Sequence, residues 1–410
     1  MRSFVALLAD PKTRPFFVSQ FVSQVGTALF EIATIWLTLE TTGSPLLTSI
    51  VAASAFLPAL LSPFAGAVSD FVSPKRLIVT LDFVRAAIVL GLALVTIQAG
   101  FPAPGVVVVL SLVLGLCTRI YIPARYSWLP QVVPRDRLQA ANALSSLIAN
   151  ARLVVGGLLT LVVFALGDPA LVFVVNAMTY LASAVIMMRV ARPATRETGT
   201  TTRTPVLARL RDGFVAVAAR RDLSLMFGFV AASNLVQVGG WMVGAPLVAE
   251  ALAGARTYTA LQASFGLGVA VGCVIVGAAA LQPAIVTRVV WLGFLARAVG
   301  FVGLASVASE LIVLFSALLV GVGMPAMSVT VPSILQVVGQ RVGHTGQLFG
   351  IYGLVNAGAV SFSIFVFGAL GERMAVEHLL MVAAIACGAL ALVTIGSERF
   401  VRALTVDRAA

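Results

Sequence analysis

The chain has 410 residues, 60% of them hydrophobic and only 10% charged, with a mean hydropathy of +1.05 and a net charge of +11. A soluble domain carries roughly 25% charged residues, so this composition excludes a chain that covers its own surface in water. The apolar runs are continuous rather than alternating, which excludes the strands of a membrane barrel and leaves an all-α polytopic membrane protein.

Apolar runs broken by Gly, Pro and charge predict twelve membrane-spanning helices, at 15–38, 46–69, 77–98, 105–126, 142–166, 169–190, 222–247, 259–282, 286–306, 311–334, 347–370 and 377–396. The start, MRSFVALLADPKTR, is short, mixed and acid-containing and does not read as a signal peptide. Residues 191–221 form the only long polar segment, rich in Thr, Gly and Pro at its start, with an amphipathic helix expected at 205–219. It reads as a linker between a six-helix bundle at 1–190 and a second at 222–410.

The basic residues number 27. Only Arg256 and Arg373 fall in loops on one side of the bilayer, and only Arg85, Arg119, Arg152 and Arg297 fall inside helices. All others lie on the opposite side, which the positive-inside rule makes cytoplasmic. Both termini are then cytoplasmic, in a bacterial inner membrane, and the basic balance needs no nucleic-acid partner.

The two halves repeat one another. Leu129-Pro130-Gln131-Val132-Val133 at the end of the fourth helix returns as Leu335-Gln336-Val337-Val338 at the end of the tenth. Gln24-Val25-Gly26 returns as Gln237-Val238-Gly239, and Gly66 to Arg85 is matched by Gly277 to Arg297. Repeats in the same order half a chain apart point to a duplicated unit.

Ionisable groups inside a bilayer cost at least ~2.5 kcal/mol near its centre and default to functional or paired roles. Six qualify: Glu31, Asp82, Arg85, Arg119, Arg152 and Arg297. In the first helix Gln20, Gln24, Thr27, Glu31, Thr34 and Thr38 recur in steps of four and three, one polar face on an apolar helix. That face must meet the protein interior or a wet cavity, and Glu31 is the candidate proton or cation site. The bland alternative is a structural carboxylate bonded to a neighbouring helix. Arg119 could draw an anion or perturb an acid, or equally form an interhelical pair.

Asp82 and Arg85 stand at i, i+3 and read as a structural pair, with Arg297 in the place of Arg85 in the second half. Arg152 reads as packing or gating. Gly66, Asp70 and Lys75 join the second and third helices as a candidate latch. Asn234, Gln237 and Trp241 share one helical face and Asn356 sits in the eleventh helix; such stripes line a binding surface or simply pack, and Phe30, Trp36, Phe227 and Phe265 add aromatic surface. Cys117, Cys273 and Cys387 lie in apolar runs without metal or disulfide spacing, and no nucleotide-binding loop or hydrolase motif is present. No enzyme activity, metal or cofactor is expected.

These residues resemble the major facilitator superfamily over the whole chain, and within it the branch holding enterobactin exporters and macrolide efflux pumps. The likeness rests on Ser23-Gln24-Val25-Gly26, Thr42-Gly43-Ser44-Pro45, Leu57-Pro58, Pro123-Ala124-Arg125, the Leu-Pro-x-x-Val-Pro run at 129–134, Ala140-Ala141-Asn142-Ala143-Leu144, Ala151-Arg152 and Asn176. The superfamily's loop between helices two and three keeps Gly66, Asp70 and Lys75 here, but Phe71, Ser73 and Pro74 replace its Arg, Gly and Arg. The resemblance implies proton-driven export of an amphipathic small molecule, drug-like or siderophore-like, by a monomer whose helices 1, 4, 7 and 10 line a central cavity. Two alternatives stay open: a lipid or anionic-solute transporter using Arg119, and a non-transporting sensor or scaffold using its linker.

Overall fold

The computed structural model describes residues 2–61, 73–134, 137–190, 215, 217–278, 283–307, 309–342 and 345–395. These residues hold fifteen α-helices and no strand. They are α1 Arg2–Ala9, α2 Arg14–Thr42, α3 Pro45–Phe56 (continued by a 3-10 turn, Leu57–Leu61), α4 Pro74–Ala99, α5 Pro104–Val132, α6 Leu138–Ala165, α7 Ala170–Met188 and α8 Arg221–Glu250. There follow α9 Ala255–Ala278, α10 Pro283–Ala305, α11 Glu310–Gly323, α12 Pro325–Ser328, α13 Thr330–Val342, α14 Thr345–Gly371 and α15 Val376–Thr394.

Among the described residues eleven helices are long and apolar enough to cross a membrane. The helix expected at 46–69 is described only as far as Leu61. The helix expected at 205–219, like Gly66 and Asp70, lies outside the described residues apart from a short helical end at 217–218. Two expected boundaries are corrected. The fourth spanning helix runs six residues past 126 to Val132, because Pro123 and Pro130 are absorbed as interior prolines rather than ending it. The tenth is broken into α11, α12 and α13, because Pro325 has no N–H for the Gly321 carbonyl, which instead accepts from Met324 N at 3.0 Å.

Helices α2 to α7 pack among themselves, α2 against α6 and α7 and α4 against α7, and helices α8 to α15 pack among themselves, α9 against α11 and α10 against α15. Two seams join the groups: α6 against α9 and α3 against α14. Large apolar side chains such as Leu311, Val274 and Leu392 point outward, where a bilayer rather than water can accept them.

The seams close tightly at the end that carries the α2–α3, α8–α9 and α14–α15 turns. There the chain reverses through Thr42-Gly43-Ser44-Pro45: Gly43 takes φ +61° and returns its N–H to Leu39 O at 2.7 Å, and the Ser44 hydroxyl accepts from Leu47 N at 3.2 Å. Trp36 stacks on Tyr258 with ring centroids 5.7 Å apart. Glycine permits close approach: a Cβ on Gly266 would lie 2.7 Å from the backbone nitrogen of Val154, and one on Gly368 would lie 1.9 Å from the Ser49 side-chain Oγ. Across the same end Glu372 accepts from the Ser44 hydroxyl and from Leu46 N at 3.0 Å, an anion placed on the positive N-terminus of α3.

Gly266→Leu is expected to wedge α6 from α9 and lengthen the distance between spin labels at the exposed positions Glu40 and Arg373. The Ser44 hydroxyl and the Leu46 amide hold the Glu372 carboxyl below the ordinary glutamate range. Its contribution is therefore full above that range and is lost as pH falls through the lowered value. The same label pair should widen on acidification in the native protein and show a flatter acid response in Glu372→Gln.

Candidate functional site

Between the two helix groups lies a cavity of about 300 Å³. It begins below the sealed end, near Glu31 and Trp241, and runs toward the opposite end past Val230, Val331 and Tyr352. One wall is charged. Glu31 on α2 meets Arg152 on α6, with Nη1 of Arg152 donating to Oε2 at 2.8 Å. The two side chains remain 27% and 21% exposed, so the pair stands in the cavity wall and is open to whatever fills it. Arg152, expected to serve packing or gating, is thus the direct partner of Glu31. Arg119 on α5 interacts electrostatically with Glu31, and its Nε has no hydrogen-bond partner among the described residues.

The facing wall is amide, aromatic and thioether. Asn234 Nδ2 donates to Asn356 Oδ1 at 3.0 Å, and Gln237 Nε2 reaches Asn234 Oδ1 at 3.4 Å and Ser233 Oγ at 3.2 Å. Trp241 stacks on Phe265 with centroids 4.3 Å apart. All five of Asn234, Gln237, Trp241, Phe265 and Asn356 line the cavity, with Met242, Met324 and Met327 beside them. Methionine's polarizable, unbranched chain adapts to varied apolar surfaces. The sequence pointed to the polar members by spacing. It gave no sign of the methionines, whose role depends on which helix faces they meet.

The polar face of α2 divides. Gln20 bonds Ser145 on α6 through its Nε2 to the carbonyl at 3.4 Å and through its Oε1 from the hydroxyl at 3.2 Å. Thr27 meets the Tyr180 hydroxyl at 3.1 Å, and Thr34 and Thr38 return their hydroxyls to their own helix. Gln24 is half-buried, and neither it nor Thr27 is among the described residues lining the cavity. Only Glu31 of that face reaches it.

Asp82 and Arg85 form the buried pair expected of them, at 3.4 Å and almost without exposure. Asp82 also accepts from Ser183 at 2.6 Å and Ser23 at 3.2 Å, while Arg85 donates to Cys117 O at 3.2 Å and lies over the Tyr121 ring. The sequence reading missed Ser183 and Tyr180. With Asn176 they stand at i, i+4 and i+7 on α7, the same spacing that exposed the face of α2. Lys75 donates to the carbonyls of Met188 and Val190, the C-terminal end of α7.

This architecture, membrane-spanning helices in two packed groups around a central cavity, is that of a multi-pass membrane protein. A family model described as transmembrane secretion effector matches residues 3–405. The chain belongs to that family, a branch of the major facilitator superfamily, and is a transporter rather than an enzyme. No curated protein matches the sequence significantly. Among solved structures, a mutant of the nucleoside transporter NupG superposes with a TM-score of 0.75 at 11% identity, covering 93% of this chain and 98% of its own. A mutant of a peptide transporter POT gives 0.72 at 13%, covering 96% and 95%. A POT family transporter in complex with 5-aminolevulinic acid gives 0.71 at 11%, covering 94% and 96%. Identities this low establish the shared fold.

Removing one member of a buried ion pair strands the other and costs ~3–5 kcal/mol. Asp82→Asn should therefore lower the thermal midpoint of the purified protein by several degrees, whereas Glu31→Gln, at a partly exposed pair, should lower it much less.

Proposed function

We propose that this protein exports an amphipathic small molecule by proton antiport, with Glu31 as the proton site, as in the enterobactin and macrolide exporters that its sequence resembles. The Glu31–Arg152 pair in the cavity wall is the observation that carries this reading. A buried structural pair such as Asp82–Arg85 is shut away from solvent, but Glu31 and Arg152 face the space a cargo would occupy. Protonating Glu31 removes the charge that holds Arg152, so occupancy by a proton and the electrostatics of the cavity change together.

With the N-terminus and C-terminus cytoplasmic, as the Lys/Arg bias sets them, the sealed end faces outward and the cavity opens inward. The cycle then follows from the charges. In this inward-open form Glu31 is ionised and paired, having released its proton. Cargo loads against the Trp241–Phe265 stack and the Asn234–Gln237–Asn356 amides. The bundles 1–190 and 222–410 rock about the 191–221 linker, parting the α6–α9 and α3–α14 seams. From outside, a proton neutralises Glu31, cargo leaves, and the bundles return. Lys75, in the first turn of α4, holds that helix to the end of α7, so the first bundle moves as one body.

Glu31→Gln, which keeps the shape and removes the titration, should abolish export driven by an imposed pH gradient in proteoliposomes, by at least tenfold. Counterflow without a gradient should persist. Unchanged gradient-driven flux in this variant rejects Glu31 as the coupling site.

A further inference from the structure

The two halves carry an arginine at matching places, and the structure treats them differently. Arg85 on α4 has Asp82 three residues earlier, and its charge is balanced inside the protein. Arg297 on α10 has Phe294 three residues earlier, with the guanidinium over that ring at 4.5 Å. Arg297 is 1% exposed and forms no ion pair among the described residues. Its Nη2 donates to Gly323 O at 2.8 Å, a carbonyl at the break before Pro325, and its Nε donates to Gly293 O at 3.3 Å. Its Nη1 has no partner among the described residues. Two N–H donors on a buried cation without a counter-charge are costly in a bilayer protein, where water cannot fill in.

Arg297 also lines the central cavity. The charged groups on that lining are Glu31, Arg152 and Arg297. Glu31 is already engaged by Arg152, so among the described residues the lining carries one positive charge without a counter-charge, beside Met324 and Val320 and within the wall that holds Trp241. The missing element is an anion with an apolar body.

We propose that Arg297 is a substrate-reading residue, seating an anionic group of the cargo through its free Nη1 while the cargo's apolar part lies on the Trp241–Phe265 stack. A planar guanidinium suits carboxylate, sulfonate and phosphate groups alike. The broken helix α11–α12 supports the site, since the Gly323 carbonyl fixes the guanidinium plane and leaves Nη1 buried and without a partner among the described residues, in a residue that lines the cavity. The inference rests on the cavity being the transport site and replaces the general amphipathic cargo with an anionic one.

The test uses three probes of one shape: 2-naphthalenesulfonate, 2-naphthol and trimethyl(2-naphthyl)ammonium. The thermal midpoint of the purified full chain is measured against the concentration of each, since a ligand of the native state raises it by mass action. The sulfonate should give a saturating rise and the ammonium none. Arg297→Gln should raise the half-saturating sulfonate concentration at least tenfold, and Arg297→Lys should stay within about threefold of the native protein. Phe294→Asp, which supplies the acid that Arg85 already has, should weaken binding as Arg297→Gln does. Equal shifts for sulfonate and ammonium, or sulfonate binding unchanged in a folded Arg297→Gln, overturn the proposal. The native protein's response to the three probes decides even where a variant does not fold. Flux in proteoliposomes separates the two readings. Sulfonate bound through Arg297 without gradient-driven movement of any probe removes the export reading and leaves the anion site. Gradient-driven export of the ammonium alone removes the anion site and leaves the export reading.

Discussion

Inside a bilayer no water stands ready to complete a hydrogen bond, so each polar group must find its partner within the protein. That constraint organises this molecule. Ser19, Ser23, Asp82, Arg85 and Ser183 are knotted into one buried network with every carboxylate oxygen engaged. The threonines of α2 turn back on their own helix. Arg85, Arg119 and Arg297 each keep one guanidinium nitrogen without a partner among the described residues, and of these Arg297 lines the cavity, where the partly exposed Glu31–Arg152 pair also stands.

The same constraint shapes the seams. A transporter's halves must meet without water yet be able to part. Gly157 and Gly266 bring backbones into contact, and Gly368 admits the Ser49 side chain, giving dispersion and close fit. The polar contacts across the sealed end are few. Glu372 on the N-terminus of α3 is exposed and depends on ionisation, in contrast to the sealed Asp82–Arg85 pair that holds a single half together. A buried ion pair thus lies within one helix group, and an exposed, ionisation-dependent contact lies across the seam.

Much of the site was legible before the structure. A polar residue on a membrane helix is costly enough to be conspicuous, so spacing alone brought forward Glu31, Asn234, Gln237 and Trp241, and the i, i+3 rule paired Asp82 with Arg85. What spacing could not show was the identity of partners on other helices. Arg152 looked like packing because nothing in its own neighbourhood is acidic; its carboxylate stands on α2, more than a hundred residues earlier. Gln24 and Thr27 share the face of Glu31, yet neither lines the cavity, and Thr27 meets the Tyr180 hydroxyl of α7 instead. Ser183 went unnoticed although α7 carries the same periodic signal, because hydroxyls are cheap to bury and therefore inconspicuous.

The chain by itself determined that it lives in a bilayer, roughly where most of its helices run, and which few side chains are too costly to be idle. These are properties of composition and period, set by the transfer of each residue out of water. The tertiary structure alone decided which end is sealed, that Glu31 faces Arg152, and that Arg297 stands without a counter-charge beside the cavity. Those depend on how helices far apart in sequence cross one another, and no local pattern encodes a crossing.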